Sequence, residues 1–335
     1  MYRSFFAVII LCLVSCLVPS LAAQPEETKA VLITGATTGI GRVAAERLAA
    51  NGYFVYAGAR KATDIDELNK IENIQAIRLD VTIQDEIDAA VEQIRKEGRG
   101  LWGLVNNAGV NVVGPLVEFS DKDFDFLFDV NVRGAFSVTK AFAPLIIESK
   151  GRIVNISSVS GIGTGSAYGP YSMTKHAIEA FTDALAEEME SVGVTVAAVE
   201  PGNYSSAIGL TRCKRMLAKA EAAASQYWAD MMKEHIEYCR ERVAPGYEST
   251  APEPFAVAEA IEQALFSESP KNRYLVVPNR GTAGWVTWSL VADLLDLNIG
   301  AEHGFSRDEI IDLMDRELAF RAGDENAFDD LMNED

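Results

Sequence analysis

Tyr171-Ser172-Met173-Thr174-Lys175 sets a phenol and an ammonium four residues apart, the spacing that puts two side chains on one face of a helix. A phenol, with an ordinary pKa of about 10, keeps its proton at neutral pH unless a nearby cation favours the phenolate. Such a pair can give a proton to a developing alkoxide, or take one from a hydroxyl. Ser158 stands thirteen residues before Tyr171, just beyond the apolar run Arg152–Ile156, and a hydroxyl there can steady the same oxygen. Taken singly, each residue has an ordinary explanation: Tyr171 as a packing aromatic, Ser158 as a turn former, Lys175 as a solvated cation. Tyr168 repeats the tyrosine without the chemistry, because the residue four positions on is Ser172, which carries no charge.

A second pattern binds rather than reacts. The run Ala30–Thr34 leads into Gly35-Ala36-Thr37-Thr38-Gly39-Ile40-Gly41 and then into a helical stretch. Glycines allow a tight turn and close approach of a ligand, and the free N–H groups of the helix start suit phosphate oxygens. Gly35, Thr37, Gly39, Ile40 and Gly41 are therefore candidate contacts to a dinucleotide, in a GxxxGxG spacing. At the end of the next apolar run stands Gly58-Ala59-Arg60-Lys61. A carboxylate there would hold a ribose hydroxyl, whereas Arg60 matches a 2′-phosphate in bidentate fashion. NADP(H) is the expected cofactor, with NAD(H) as the other choice.

Helices and strands must alternate to position these groups, and the sequence supplies that alternation. Short apolar runs at Ala30–Thr34, Phe54–Gly58, Ile74–Leu79, Gly103–Asn106, Arg152–Ile156, Val194–Val199 and Tyr274–Val277 read as parallel strands covered on both faces. Between them, Arg42–Ala50, Gln84–Glu97, Asp123–Glu148 and Tyr171–Ser191 have helical length. The fold expected is a doubly wound, Rossmann-type α/β sheet of about seven parallel strands, with its ligand rim at the strands' C-terminal ends. After the break at Pro201-Gly202, residues 203–250 are helix-rich without a strand, and read as a substrate lid or as a packing pair of helices. Tyr227, Trp228, Met231 and Met232 in that stretch suit an apolar ligand, or equally the inner face of amphipathic helices. One domain over 24–300 is the economical division, with 301–335 as an acidic, solvated extension.

The net charge of −19, from 49 acidic and 30 basic residues, argues against nucleic acid as a partner. His176, His235 and His303 have no ligand spacing, so no metal site is expected. Cys213 and Cys239 can pair only if the domain meets an oxidising compartment.

In order along the chain, Thr34-Gly35…Gly39-Ile40-Gly41, Asn106-Asn107-Ala108-Gly109, Asn131, Ser158 and Tyr171…Lys175 resemble the signatures of the short-chain dehydrogenase/reductase family, over roughly Lys29 to Val277. The resemblance implies a carbonyl–alcohol oxidoreductase with Tyr171 as acid/base, Lys175 lowering its pKa and holding the nicotinamide ribose, and Ser158 orienting the substrate oxygen. It makes Asn131 a proton-relay residue, although a helix kink would also explain that asparagine. It also implies that Asp80 and Val81 touch adenine, that Asn107, Ala108 and Gly109 flank its ribose, and that Pro201, Gly202 and Ser206 lie beside the nicotinamide. Ser206 stands where the family often has threonine. Gly169-Pro170-Tyr171 and the long helices after Gly202 are similar to the steroid- and retinol-dehydrogenase branch, which implies a lipophilic alcohol or ketone as substrate. Family members are usually dimers or tetramers, so a homodimer or homotetramer is expected. A nicotinamide-recycling epimerase or dehydratase, and a non-catalytic NADP(H)-binding regulator, are the competing functions.

Phe5 to Ala23 is a nearly continuous apolar run of 19 residues, so residues 1–23 read as a signal peptide or membrane anchor. Ser20-Leu21-Ala22 resembles a cleavage site and Leu13-Val14-Ser15-Cys16 a bacterial lipoprotein box. Arg3 before the run and Glu26 and Glu27 after it favour a cytoplasmic N-terminus. The expected location is the endoplasmic-reticulum membrane or a bacterial inner membrane, with a secreted or periplasmic protein as second choice.

Overall fold

The computed structural model describes residues 28–220, 225–302 and 304–324. The anchor or signal reading of 1–23 and the last part of the acidic extension, 325–335, lie outside the described residues.

Seven strands, β1 (Ala30–Ile33), β2 (Phe54–Ala59), β3 (Ile74–Arg78), β4 (Gly103–Asn106), β5 (Arg152–Ile156), β6 (Thr195–Pro201) and β7 (Arg273–Val276), build one sheet. Every pairing is parallel and the order is β3-β2-β1-β4-β5-β6-β7, as a doubly wound fold requires. All four residues of β1 are buried, and they alternate between the sheet's two faces, as strand geometry demands. Val31 and Ile33 pack with Leu48 of α1 (Gly39–Ala50) and Ile261 of α9 (Phe255–Phe266). Ala30 and Leu32 face the opposite layer, with Ile87 and Ile94 of α3 (Gln84–Glu97) and Phe142 of α5 (Gly134–Glu148). In α3 the buried positions Ile87, Ala90, Val91 and Ile94 recur at helical spacing, so one stripe meets the sheet and the rest is solvated. A short α2 (Ala62–Leu68) links β2 to β3.

The stretch expected as a single helix over Asp123–Glu148 is broken. It comprises α4 (Asp121–Phe128), a π-helical turn at Asp129–Arg133, and α5. Asn131 causes the break, because its buried amide is drawn into hydrogen bonds with Val110 and Thr174 from outside the helix, and such a turn carries an extra residue to present a side chain inward.

The long α6 (Gly169–Glu190) carries Tyr171 and Lys175. Beyond β6, residues 203–250 form two helices, α7 (Ala207–Ala220) and α8 (Ala229–Val243). They are clipped together by a disulfide between Cys213 and Cys239, whose Cα atoms lie 4.8 Å apart. Met231 and Met232 pack on that clip with Val113, Ala167 and Met216, whereas Tyr227 and Trp228 are exposed; here the inner-face reading of the methionines holds.

Two helices follow that the sequence reading does not contain. α10 (Arg280–Asn298) is capped by the Asn279 side chain, which accepts from Thr282 N–H at 2.9 Å. α11 (Arg307–Arg321) opens on a capping box of Ser306 and Glu309, so the acidic extension is helical as far as Arg321. Trp288, Leu290, Leu297 and Ile299 on and just after α10, and Met314 and Leu318 on α11, are all exposed.

Candidate active site

The crossover reverses between β1 and β4, which are adjacent strands, and a doubly wound sheet binds its ligands in the crevice that opens there. The buried Thr34 hydroxyl closes the bottom of that crevice. It accepts from Asn107 N–H at 3.0 Å and Ala108 N–H at 2.9 Å, and donates to Val105 C=O at 3.3 Å. Asn107 answers by donating its side-chain amide to Thr34 C=O at 2.8 Å and Gly35 C=O at 3.1 Å. The turn from β1 and the segment after β4 are thereby fastened together.

Glycine is required at two places in that turn. Gly35 has φ of +64°, and a Cβ on it would sit 3.0 Å from Ala108 Cα; a Cβ on Gly41 would sit 2.6 Å from Gly35 O. Thr37 and Ile40 are half-buried between them, and the N-terminus of α1 points into the crevice. A Cβ on Gly39 would meet Ser206 Cβ at 3.0 Å, so Ser206, at the start of the α7–α8 stretch, lies against the glycine turn. Pro201 ends β6, and Gly202 N–H donates to Val276 C=O at 2.8 Å. The cradle fits a dinucleotide pyrophosphate: close-approach glycines, helix-start N–H groups and no carboxylate in the turn.

At the β2 end of the rim, Arg60 is exposed and reaches Asp80 at 3.5 Å. Arg78 donates to Arg60 C=O and pairs with Glu86 at 3.0 Å, adding a cation that the sequence reading does not include. Partial burial works to raise the Asp80 pKa, but hydrogen bonds from Thr82 and the Arg60 cation hold the carboxyl below its usual range. Val81 is buried against Gly134.

A ladder of buried polar side chains then fixes α6 to the sheet. Asn106 donates to Thr139 of α5 and to Asn155 of β5, both at 2.8 Å, and Asn155 donates to Thr182 of α6 at 2.9 Å. This ladder places Tyr171, which is 8 % exposed, on the rim beside Ser158. Burial pushes the Tyr171 phenol up to about 12, while Ser158 and the Arg212 guanidinium pull it down and Tyr168 pushes it up. The Ser158 oxygen also accepts from Ser160 N–H at 3.1 Å, which fixes this hydroxyl beside the Tyr171 phenol. Lys175 is buried, donates to Ile156 C=O at 2.9 Å and lies 5.7 Å from the Tyr171 ring centroid. Burial brings its pKa down to about 8, opposed by Glu179.

Asn131 accepts from Val110 N–H at 2.8 Å and donates to Val110 C=O at 2.9 Å and to the Thr174 hydroxyl at 3.0 Å. Asn131 and Lys175 converge on Gly109: a Cβ there would be 3.5 Å from Asn131 Oδ1 and 3.9 Å from Lys175 Nζ. The four residues expected to react are thus on one rim, within one cluster. What the arrangement can do is transfer a proton at an oxygen placed between Ser158 and Tyr171.

Three positions here escape sequence reasoning. Thr34 and Asn106 belong to motifs already noted, but their work is structural. Arg212, on α7, donates to the Tyr168 hydroxyl, a pairing across 44 residues that no local pattern announces. It lines a cavity of about 270 Å³ with Val113, Tyr168, Met216, His235 and Cys239.

Residues 29–218 match the family model described as short chain dehydrogenase. The chain is 36 % identical over 275 residues to the mitochondrial D-beta-hydroxybutyrate dehydrogenase of Bos taurus, covering 76 % of this chain and 78 % of that protein. It is 32 % identical over 271 residues to retinol dehydrogenase 16 of Homo sapiens, at 77 % and 81 % coverage. Among solved structures, a point variant of actinorhodin polyketide ketoreductase with NADPH superposes with a TM-score of 0.62 at 28 % identity, covering 77 % of this chain and 98 % of that one. The chain belongs to the short-chain dehydrogenase family. It is an NAD(P)-dependent oxidoreductase acting on CH–OH groups.

Thr34→Val, nearly isosteric, removes the acceptor of two buried N–H groups. We expect a stability loss of about 2 kcal/mol in urea titration, with weaker NADPH binding by fluorescence. Unaltered binding would show that the clamp does not shape the crevice.

Proposed function

We propose that the protein is an NADP(H)-dependent reductase and dehydrogenase that interconverts a carbonyl and a primary or secondary alcohol on a substrate with an apolar body. The observation that carries this reading is the juxtaposition of Tyr171, Ser158 and Lys175 on the ligand rim. The names of the two relatives, one a hydroxybutyrate and one a retinol dehydrogenase, support the alcohol–carbonyl pair.

The substrate oxygen lies between Ser158 Oγ and Tyr171 Oη. Nicotinamide, when bound, supplies or accepts the hydride. Tyr171 gives its proton to the oxygen as negative charge develops there, and the Lys175 and Arg212 cations favour the phenolate left behind. The Asn131 amide offers its remaining Oδ1 lone pair on the Lys175 side of Gly109, and is the residue we assign to returning the proton. Tyr171→Phe is expected to lower kcat at least ~1000-fold with NADPH still bound, and full activity in that variant would discard the assignment. Lys175 is cationic below its pKa of about 8 and neutral above it. Reduction by the wild type should therefore fall as pH rises through about 8, and Lys175→Met should be slow without that limb in its pH profile.

Arg60, with Arg78 behind it, supports NADP(H) over NAD(H), since the guanidinium offers a fork to a 2′-phosphate. Arg60→Glu is expected to shift the NADPH:NADH ratio of kcat/KM by ~100-fold towards NADH, on the order of a lost charge-assisted pair; an unchanged ratio would place the preference elsewhere.

We also propose that the protein is membrane-associated, through residues 1–23 and through α10, with its catalytic domain in an oxidising compartment. Among the described residues no helix is long and apolar enough to cross a membrane. Support comes instead from exposed Trp288, Leu297 and Ile299 along α10 and its end and from the Cys213–Cys239 bond, which such a compartment sustains. A Cβ on Gly163 would lie 2.8 Å from the Trp285 ring, so α10 leans on the loop that follows Ser158, and a lipophilic substrate would enter from that side past the α7–α8 lid. A groove lined by Phe128, Val132, Phe136 and Phe181 supports dimerisation through α5 and α6. Protein from residue 24 onward should float with neutral phosphatidylcholine vesicles and scatter light as a dimer. Failure of flotation would confine any attachment to residues 1–23, and a monomer would remove the second surface.

A further inference from the structure

We infer that Arg212 reads an anionic group on the substrate, so that the molecule reduced or oxidised at Tyr171 is an oxo or hydroxy acid whose carboxylate docks on this guanidinium. The inference deepens the reductase reading and rests on it.

The protein is rich in carboxylates, and the solvent-accessible Arg273 shows how they are used. Arg273 is met by Glu179, Asp183 and Glu200 together. Arg212 is treated differently. It is half-buried, and among the described residues no carboxylate lies within ion-pairing distance of it. Its Nη1 donates to the hydroxyl of Tyr168 and not to a carboxylate; the Tyr168 and Tyr238 rings stand 5.4 and 5.7 Å from its Cζ. Its Nε is buried with no hydrogen-bond partner among the described residues. An always-charged group held among aromatics with an unmet buried donor is costly unless something anionic completes it. Guanidinium suits a carboxylate through two parallel N–H···O bonds.

Position gives this cation its meaning. Val113, Met216 and the sulfur-bearing Cys239 give the cavity it lines an apolar side for a carbon chain, with the His235 imidazole beside them. Glu234 also lines that cavity but is exposed. Tyr168 forms one wall and packs in the same cluster as Tyr171, so the anion site adjoins the proton donor. Arg212 is neighbour in sequence to Cys213, whose bond to Cys239 sets its place. In reduction, the hydride from reduced nicotinamide goes to the carbonyl carbon and the Tyr171 proton to its oxygen. The products are the hydroxy acid and oxidised nicotinamide, and the carboxylate is unchanged.

The test uses the whole chain with NADPH and a series of 3-oxo, 4-oxo and 5-oxo acids (acetoacetate, 4-oxopentanoate, 5-oxohexanoate), each beside its methyl ester, with wild type, Arg212→Lys and Arg212→Met. Wild type should favour one acid over its ester, and the favoured length measures the distance from Arg212 to the reacting carbon. Arg212→Met should lower the acid-to-ester ratio of kcat/KM by ~100-fold, mainly through KM, as expected for a lost charge-assisted pair. Arg212→Lys should fall between, because it keeps the charge without the fork. Calorimetric binding of the acids to the protein with oxidised cofactor gives a second readout. Esters matching acids in wild type, or Arg212→Met losing both in proportion, would overturn the inference. So would acids that neither turn over nor bind to wild type. Neutral ketones reduced without acid preference would overturn it too, while leaving the reductase reading standing. Arg212-dependent acid binding with no NADPH oxidation on any carbonyl would support the anion site and sink the reductase reading.

Discussion

Two neighbouring parallel strands whose crossovers leave in opposite directions must part at their C-terminal ends, and in this chain those strands are β1 and β4. The gap would be a weakness in the sheet if it were not tied. One buried hydroxyl on Thr34 ties it, taking two N–H groups from the far side and returning a bond to Val105. Because Thr34 commits its hydroxyl to backbone, the turn from Gly35 to Gly41 is left free to face a ligand. The close fit of Gly41 against that turn leaves no room for a side chain. The binding crevice and the sheet's integrity are therefore one problem with one solution.

The catalytic side of the rim depends on burying charge. Lys175, Glu179 and Glu200 are all nearly inaccessible, and burial works against the charged forms of Lys175 and Glu200. Burial raises the Glu200 pKa, with Arg273 pulling it back. Arg273, at the start of β7, joins Glu179 of α6 to Glu200 of β6, so the last strand added to the sheet holds the helix that carries Tyr171. Single buried ion pairs rarely stabilise a fold by themselves. Here the network fixes the register of α6, and Glu179 keeps a counter-charge one turn below Lys175.

Much of this is legible in the residues. The inner strands can be read because both faces are buried and the runs are mostly apolar, and the expected ranges differ from the observed ones only at the ends. Tyr171, Ser158, Lys175 and Asn131 stand out because their order and spacing survive as text. What cannot be read depends on distant partners. The break inside Asp123–Glu148 follows from Asn131 reaching Val110 and Thr174, which a helical pattern does not record. Tyr168 has no lysine to make it a proton donor, yet its hydroxyl serves Arg212 from 44 residues away. Whether Cys213 and Cys239 pair depends on two helices packing side by side and on the compartment. α10 escapes the pattern because apolar residues run around it without a period, so nothing separates an inner face from an outer one.

The π-helical turn at Asp129–Arg133 acts on its helix as a shift of reading frame. Upstream of it, Leu127 belongs with Val112 and Tyr171 at the site; downstream, Val138, Phe142 and Ile146 belong to the layer beneath the sheet. One added residue turns a helix by about 100°, and that rotation lets a single stretch of chain serve both surroundings. Exchange of side chains along this stretch should be far easier to absorb than a change in its length. Deleting one residue here would restore a regular helix while swinging Asn131 off Val110 and the downstream apolar stripe off the sheet.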